Sequence, residues 1–166
     1  GWDHCDGLHA NGCETDLNTT STCGTSCANL VNCATLPFVQ SVGCTAGACV
    51  INACATGYGR CDADVSNGCE TNLNATATCG LDCSGIVDCG QLPNVNSVNC
   101  SSGTCNINSC AGAYAHCDTD VANGCETNLA DPGTCGVSCA GIVDCTGLAN
   151  VSTAGCTAGA CVINAC

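Results

Sequence analysis

Cysteine spacing constrains this chain more than any other feature. Cys5, Cys13, Cys23, Cys27, Cys33, Cys44, Cys49 and Cys54 recur 56 residues later as Cys61, Cys69, Cys79, Cys83, Cys89, Cys100, Cys105 and Cys110. They recur again, 112 residues on, as Cys117, Cys125, Cys135, Cys139, Cys145, Cys156, Cys161 and Cys166, so all 24 cysteines of the 166-residue chain belong to one pattern. The string NGCET stands at 11–15, 67–71 and 123–127, and GCTAGACVINAC at 43–54 returns unchanged at 155–166. A period of this length marks a tandem-repeat architecture. The repeats are 1–54, 57–110 and 113–166, separated by the linkers 55–56 and 111–112. Neither end carries the atypical sequence of a terminal capping repeat, which leads us to expect three interior repeats of a longer array, or a segment whose ends join identical neighbours.

Cross-links have to replace a core that the composition does not provide. Leu, Val, Ile and Phe together make 28 of the 166 residues, 17%, below the level at which a chain folds on burial alone. Cysteine, at 14%, is above the level that marks a disulfide scaffold. The competing reading, a metal–thiolate cluster, needs reducing conditions and close CxC, CC or CxxC pairs. The closest spacing here is the three-residue gap of Cys23 and Cys27, repeated at Cys79/Cys83 and Cys135/Cys139. No histidine recurs in all three repeats either, since Arg60 stands where His4 and His116 do. All 24 cysteines are therefore read as disulfide-forming, in an oxidising, extracellular or cell-surface compartment. Spacing does not select the pairing. Bridges between neighbouring repeats would make a stapled rod, and bridges within repeats would leave short hinges at the linkers.

The local pattern is loop, turn and short strand. Cys5 to Leu17 is rich in Asp, Asn and Gly, the residues of tight turns. The stretch Cys79 to Cys89 is too short and glycine-interrupted for more than one helical turn. From Val95 to Cys110, two segments with Val and Ile flank Ser-Ser-Gly and predict a hairpin, with equivalents turning at Thr45-Ala46-Gly47 and Thr157-Ala158-Gly159. The expected fold is a disulfide-rich, β-rich tandem repeat of short strands and hairpins with little helix, its three modules stacked as a solenoid-like rod. Trp2, Tyr58 and Tyr114 are equivalent, lie next to the linkers and are expected to cover the joins.

One Lys or Arg against 14 Asp and Glu leaves a net charge of −13, with Arg60 as the single permanent cation. Phosphate neutralisation is then unavailable, which excludes nucleic acid and anionic membrane surfaces as partners. No apolar run is long enough to span a bilayer as a helix.

The unit GYGRCDADVSNGCETNL, followed by TCG and by LPNV with its spaced C, G.C and I..C, resembles the Cys-rich tandem repeats of large secreted and surface proteins of bacteria, especially myxobacteria and their relatives. The resemblance covers the whole chain. One departure is the three-residue gap after TCG, where the usual form is a tighter CG.CG. It implies an extracellular structural or adhesive role and no enzymatic activity.

Individual motifs carry three further expectations. Asp62, Asp64, Asn67 and Glu70, with Asp118, Asp120, Asn123 and Glu126 in the third repeat, offer clustered oxygens to Ca²⁺. The first repeat breaks this set at Leu8, and solvated turns are the favoured reading. Asn18, Asn74, Asn99 and Asn150 head N-x-S/T sequons and are candidate sites for covalent glycans. Thr22, Thr78 and Thr134 recur in register, but too sparsely for an ice-binding ladder. No constellation of nucleophile, base and acid stands out, so no enzyme is expected. The resulting expectation is an extracellular structural repeat, a segment of a rod, stalk or filament that associates end to end with identical repeats. A Ca²⁺-dependent adhesin or glycan-binding module is the alternative.

Overall fold

The computed structural model describes residues 1–8 and 10–166. Strands form six antiparallel pairs, and no wider sheet occurs among the described residues. β1 (Trp2–Asp3) pairs with β2 (Thr15–Asp16), β3 (Val39–Thr45) with β4 (Ala48–Cys54), and β5 (Tyr58–Gly59) with β6 (Thr71–Asn72). β7 (Val95–Ser101) pairs with β8 (Thr104–Cys110), β9 (Tyr114–Ala115) with β10 (Thr127–Asn128), and β11 (Thr153–Thr157) with β12 (Ala160–Ala165). Each repeat therefore supplies one minimal pair and one long hairpin. Among the described residues, helix is confined to single 3-10 turns such as Cys83–Gly85 and Cys89–Gln91, where the capping Asp82 and Asp88 side chains accept from the Ser84 and Gly90 amides. The β-rich, helix-poor class expected from the sequence is the one that forms.

The long hairpins turn more tightly than their sequence predicts. Thr45 faces Ala48, Ser101 faces Thr104 and Thr157 faces Ala160, leaving two-residue loops at Ala46-Gly47, Ser102-Gly103 and Ala158-Gly159. Ala46, Ser102 and Ala158 have φ of 53°, 51° and 49°, and the glycines after them 76°, 71° and 76°. Two successive positive φ values give the type I′ turn that matches strand twist. Thr45, Ser101 and Thr157, expected within the turns, instead complete the ladders.

Two contact-dense units make up the chain. The first comprises Gly1–Asn74 and Gly80–Ile86, the second Ala75–Cys79 and Val87–Cys166. In the first, Cys44 and Cys49 stand opposite each other across the β3–β4 hairpin and bond to Cys23 and Cys33. In the second, Cys100 and Cys105 face each other and bond to Cys79 and Cys89, and Cys156 and Cys161 do the same with Cys135 and Cys145. Side-by-side disulfides thus sit under each hairpin near its turn. Among the described residues, Leu17 and Leu73 are the only buried apolar side chains besides cysteine, and no polar or charged residue is buried. Sulfur fills the interior. Each bridge closes a short loop, a constraint worth about 3 kcal/mol by the entropy it removes from the unfolded chain.

Candidate functional site

Eleven disulfides use 22 of the cysteines. Three kinds stay within a repeat, as in Cys5–Cys27, Cys23–Cys44 and Cys33–Cys49. The fourth does not. Cys54 bonds to Cys69 and Cys110 to Cys125, each across a two-residue linker into the next repeat. Cys13 and Cys166, expected from their positions to be bridged, are exposed free thiols. Cys13 is the repeat equivalent of Cys69, and Cys166 that of Cys110, the positions that carry forward bridges elsewhere in the chain.

The two joins are built alike. At the first, Phe38 takes a φ of 53°, a conformation unusual for an aromatic residue. This turns the Pro37 carbonyl toward the next repeat and the Phe38 carbonyl toward the linker, so that Cys69 N–H donates to Pro37 O (2.9 Å) and Ala55 N–H to Phe38 O (2.8 Å). Gly68, at φ 76°, lies so close that a Cβ there would sit 2.3 Å from Pro37 O. The Phe38 ring stacks on Tyr58 with centroids 4.0 Å apart and planes 4° from parallel, so this tyrosine does cover its join. At the second, Asn94 holds the same φ of 53° with less strain, because asparagine tolerates the left-handed region. Cys125 N–H donates to Pro93 O (2.8 Å), Ala111 N–H to Asn94 O (2.8 Å), and Asn94 Nδ2 to Cys125 O (3.1 Å). A Cβ on Gly124 would again meet Pro93 O at 2.3 Å. Val121 packs on the buried Cys79, Cys89 and Cys105 cluster.

Acidic side chains that could be ion ligands are turned onto the backbone. Glu70 Oε1 accepts from the Cys61 amide (2.7 Å), and Glu14 and Glu126 do the same with Cys5 and Cys117 (each 2.7 Å). Asp62 accepts from Asp64 N–H (2.8 Å) and Asn67 Nδ2 (2.9 Å), and Asp118 from Asp120 N–H and Asn123 Nδ2 (each 2.8 Å). Asp64 and Asp120 cap the 3-10 turns that follow them. Asn67 Oδ1, Glu70 Oε2 and Asn123 Oδ1 are covered from solvent without a hydrogen bond. His4 Nδ1 donates to Gly12 O at 2.8 Å with Glu14 Oε2 3.2 Å away, and these contacts raise its pKa, the Gly12 carbonyl first. The His4, Asp6 and Glu14 cluster has the same commitments.

Asn18, Asn74, Asn99 and Asn150 are all exposed. Asn150, at φ 61°, is the equivalent of Asn94 and so differs from the other three sequons in lying at a join position. Thr22 and Thr134 direct their hydroxyls to the Asp16 and Asn128 carbonyls, a structural use. Sequence reasoning did not find the glutamate-to-amide bonds, and it left bridges between neighbouring repeats as one of two open readings without placing the forward pairs. Spacing held no signal for these pairs, since Cys61 is nearer to Cys54 in sequence than its partner Cys69 is. No known protein family, curated protein or solved structure matches the chain.

Two outcomes follow from this geometry. G68A is expected to lower the guanidinium midpoint of the disulfide-intact protein through both a backbone conformation (φ 76°, ψ −130°) that disfavours any side chain and the clash with Pro37, together about 2–6 kcal/mol. G12A, at φ 79° with nothing within 4 Å, should cost only the backbone strain, about 1–3 kcal/mol; equal losses would show that the Gly68 approach is not close.

The second concerns acid. The amides of Glu126 itself and of Cys117 hold the Glu126 carboxyl at about 2, against an ordinary 4.5. A depressed carboxylate contributes its full stabilisation above the ordinary value and loses it as pH falls toward the folded one. By NMR, the Cys117 amide shift is expected to titrate with a midpoint near pH 2. A midpoint at 4.5 would show the bond to be absent in solution.

Proposed function

We propose that this chain is a non-catalytic, extracellular structural repeat, a segment of a disulfide-stapled rod, stalk or filament. The carrying observation is the forward bridge, Cys54–Cys69 and Cys110–Cys125. A two-residue linker beside a disulfide, two backbone hydrogen bonds and a glycine packed on a carbonyl leaves little freedom between neighbours. Extensive disulfide bonding fits a compartment outside the reducing cytoplasm, and no described helix is long and apolar enough to cross a membrane. The resemblance to bacterial surface repeats and the exposed sequons support an extracellular setting. Glycans on Asn18, Asn74 or Asn99 would add to an acidic, well-hydrated surface.

Small-angle scattering on chains lengthened by whole repeats tests the rod. The radius of gyration is expected to rise by a constant increment per repeat. Growth as the 0.38 power of residue number, roughly that of a globule, would overturn it.

The adhesin reading rests on the three covered oxygens of Asn67, Glu70 and Asn123. Against it, Asp62, Asp64, Asp118 and Asp120 already satisfy backbone donors, and an ion would have to displace those bonds. Calorimetric titration with millimolar Ca²⁺ is expected to give no binding heat. Saturable heat that E70Q and E126Q abolish would favour the adhesin.

A further inference from the structure

We propose that Cys166 and Cys13 are the two halves of one forward disulfide, which joins one copy of this 166-residue segment to the next. The inference deepens the structural-repeat reading and rests on it. Its template is present twice within the chain, at Cys54–Cys69 and Cys110–Cys125. Cys166 occupies the donor position of that template and Cys13 the acceptor position, and both are exposed thiols.

The surfaces around the two thiols already hold the shapes they have in a completed join. Gly12 has φ 79°, against 76° for Gly68 and 72° for Gly124. Where Gly68 and Gly124 are packed on a neighbour's carbonyl, Gly12 has nothing within 4 Å. The acceptor side is therefore formed in advance, with an open place for a carbonyl oxygen. On the donor side, Asn150 has φ 61°, in the same left-handed region as Phe38 and Asn94 at 53°. Its amide can make to Cys13 O of the second copy the bond that Asn94 makes to Cys125 O. Ala149 replaces Pro37 and Pro93 but keeps the carbonyl that their joins use.

Burial tells the same story. Cys69 and Cys125 are 0% exposed at their joins, whereas Cys13 is open to solvent. Trp2, the equivalent of Tyr58, is 64% exposed, and Leu148, the equivalent of Leu36 and Leu92, is 37% exposed. A further copy docked at this position would cover both, although Tyr114 stays 36% exposed at its completed join. The interface is heterologous, so nothing in it limits growth to a dimer.

The chemistry is thiol–disulfide exchange with a low-molecular-weight disulfide such as oxidised glutathione. The Cys166 thiolate attacks one glutathione sulfur, forming a mixed disulfide and releasing one glutathione thiolate. The Cys13 thiolate of the second copy then attacks Cys166 Sγ, forming the protein disulfide and releasing the second. Two protein thiols are oxidised, one glutathione disulfide is reduced to two thiols, and the two protons pass to the released glutathione.

The test uses the full chain in a glutathione redox buffer, read on non-reducing gels and by peptide mapping. Wild type is expected to give a ladder in steps of one chain mass that collapses on reduction. C13S alone and C166S alone should stay monomeric, and their equimolar mixture should give one dimer, with Cys13 linked to Cys166. The Cβ of G12A meets nothing within 4 Å inside the chain but stands where the Ala149 carbonyl must dock, so folded G12A should couple at least tenfold more slowly. Dimers from either serine variant alone, a Cys13–Cys166 bridge within one molecule, or G12A coupling at the wild-type rate would each overturn the proposal. A coupled product whose scattering is compact would instead overturn the rod and leave the bridge standing.

Discussion

The first two long hairpins each end in a strand whose two cysteines bond in opposite directions along the chain. In β4, Cys49 reaches back to Cys33 and Cys54 forward to Cys69; in β8, Cys105 reaches back to Cys89 and Cys110 forward to Cys125. The rest of the architecture depends on this arrangement. A two-stranded hairpin is marginal in water, and here it has no wider sheet and few apolar side chains to lie on. It persists because its strands are tied at the turn end to the loop that precedes it and at the open end to the repeat that follows. Counting from the forward cysteine, the eight sulfurs from Cys54 to Cys105 close entirely among themselves, as do those from Cys110 to Cys161. The sequence period and the covalent unit therefore have the same length but different starting points.

With so little apolar burial, polar groups do local work that a core would do elsewhere. Asp and Glu side chains in the turns satisfy amides that have no strand or helix partner, and the same carboxylates give the chain its net charge of −13. Charge and turn geometry are thus two results of one set of residues. Self-repulsion among so many carboxylates opposes compaction, and a covalently tied loop tolerates it better than a packed one.

Much of this was legible in the sequence. The hairpin from Val95 to Cys110 could be read from two Val/Ile segments around a glycine, and the poverty of helix from Gly-interrupted stretches such as that around Cys83. Those are local signals. Strand pairs two residues long, such as Tyr58–Gly59 with Thr71–Asn72, have no periodicity to detect. The partner of Cys54 was not legible either, because pairing is set by which loops meet in space. Glu70 was read as an ion ligand or a solvated acid, and its bond to the Cys61 amide depends on a fold-back that composition does not encode. Repeat borders drawn where the alignment began also hid the forward bridge, since they placed its two halves in different modules.

The forward bridge also makes the length of such a protein heritable in whole steps. Removing residues 57–112 would bring Cys54 to the spacing from Cys125 that it now has from Cys69, with Gly124 following as Gly68 does. Inserting another copy would do the reverse. Recombination between misaligned, near-identical gene segments changes copy number by integers, and every product retains a complementary partner at each internal joint. An unequal crossover that would strand a sulfur in most disulfide proteins is here silent to the bonding pattern, so copy number can drift or be selected without redesign of the fold.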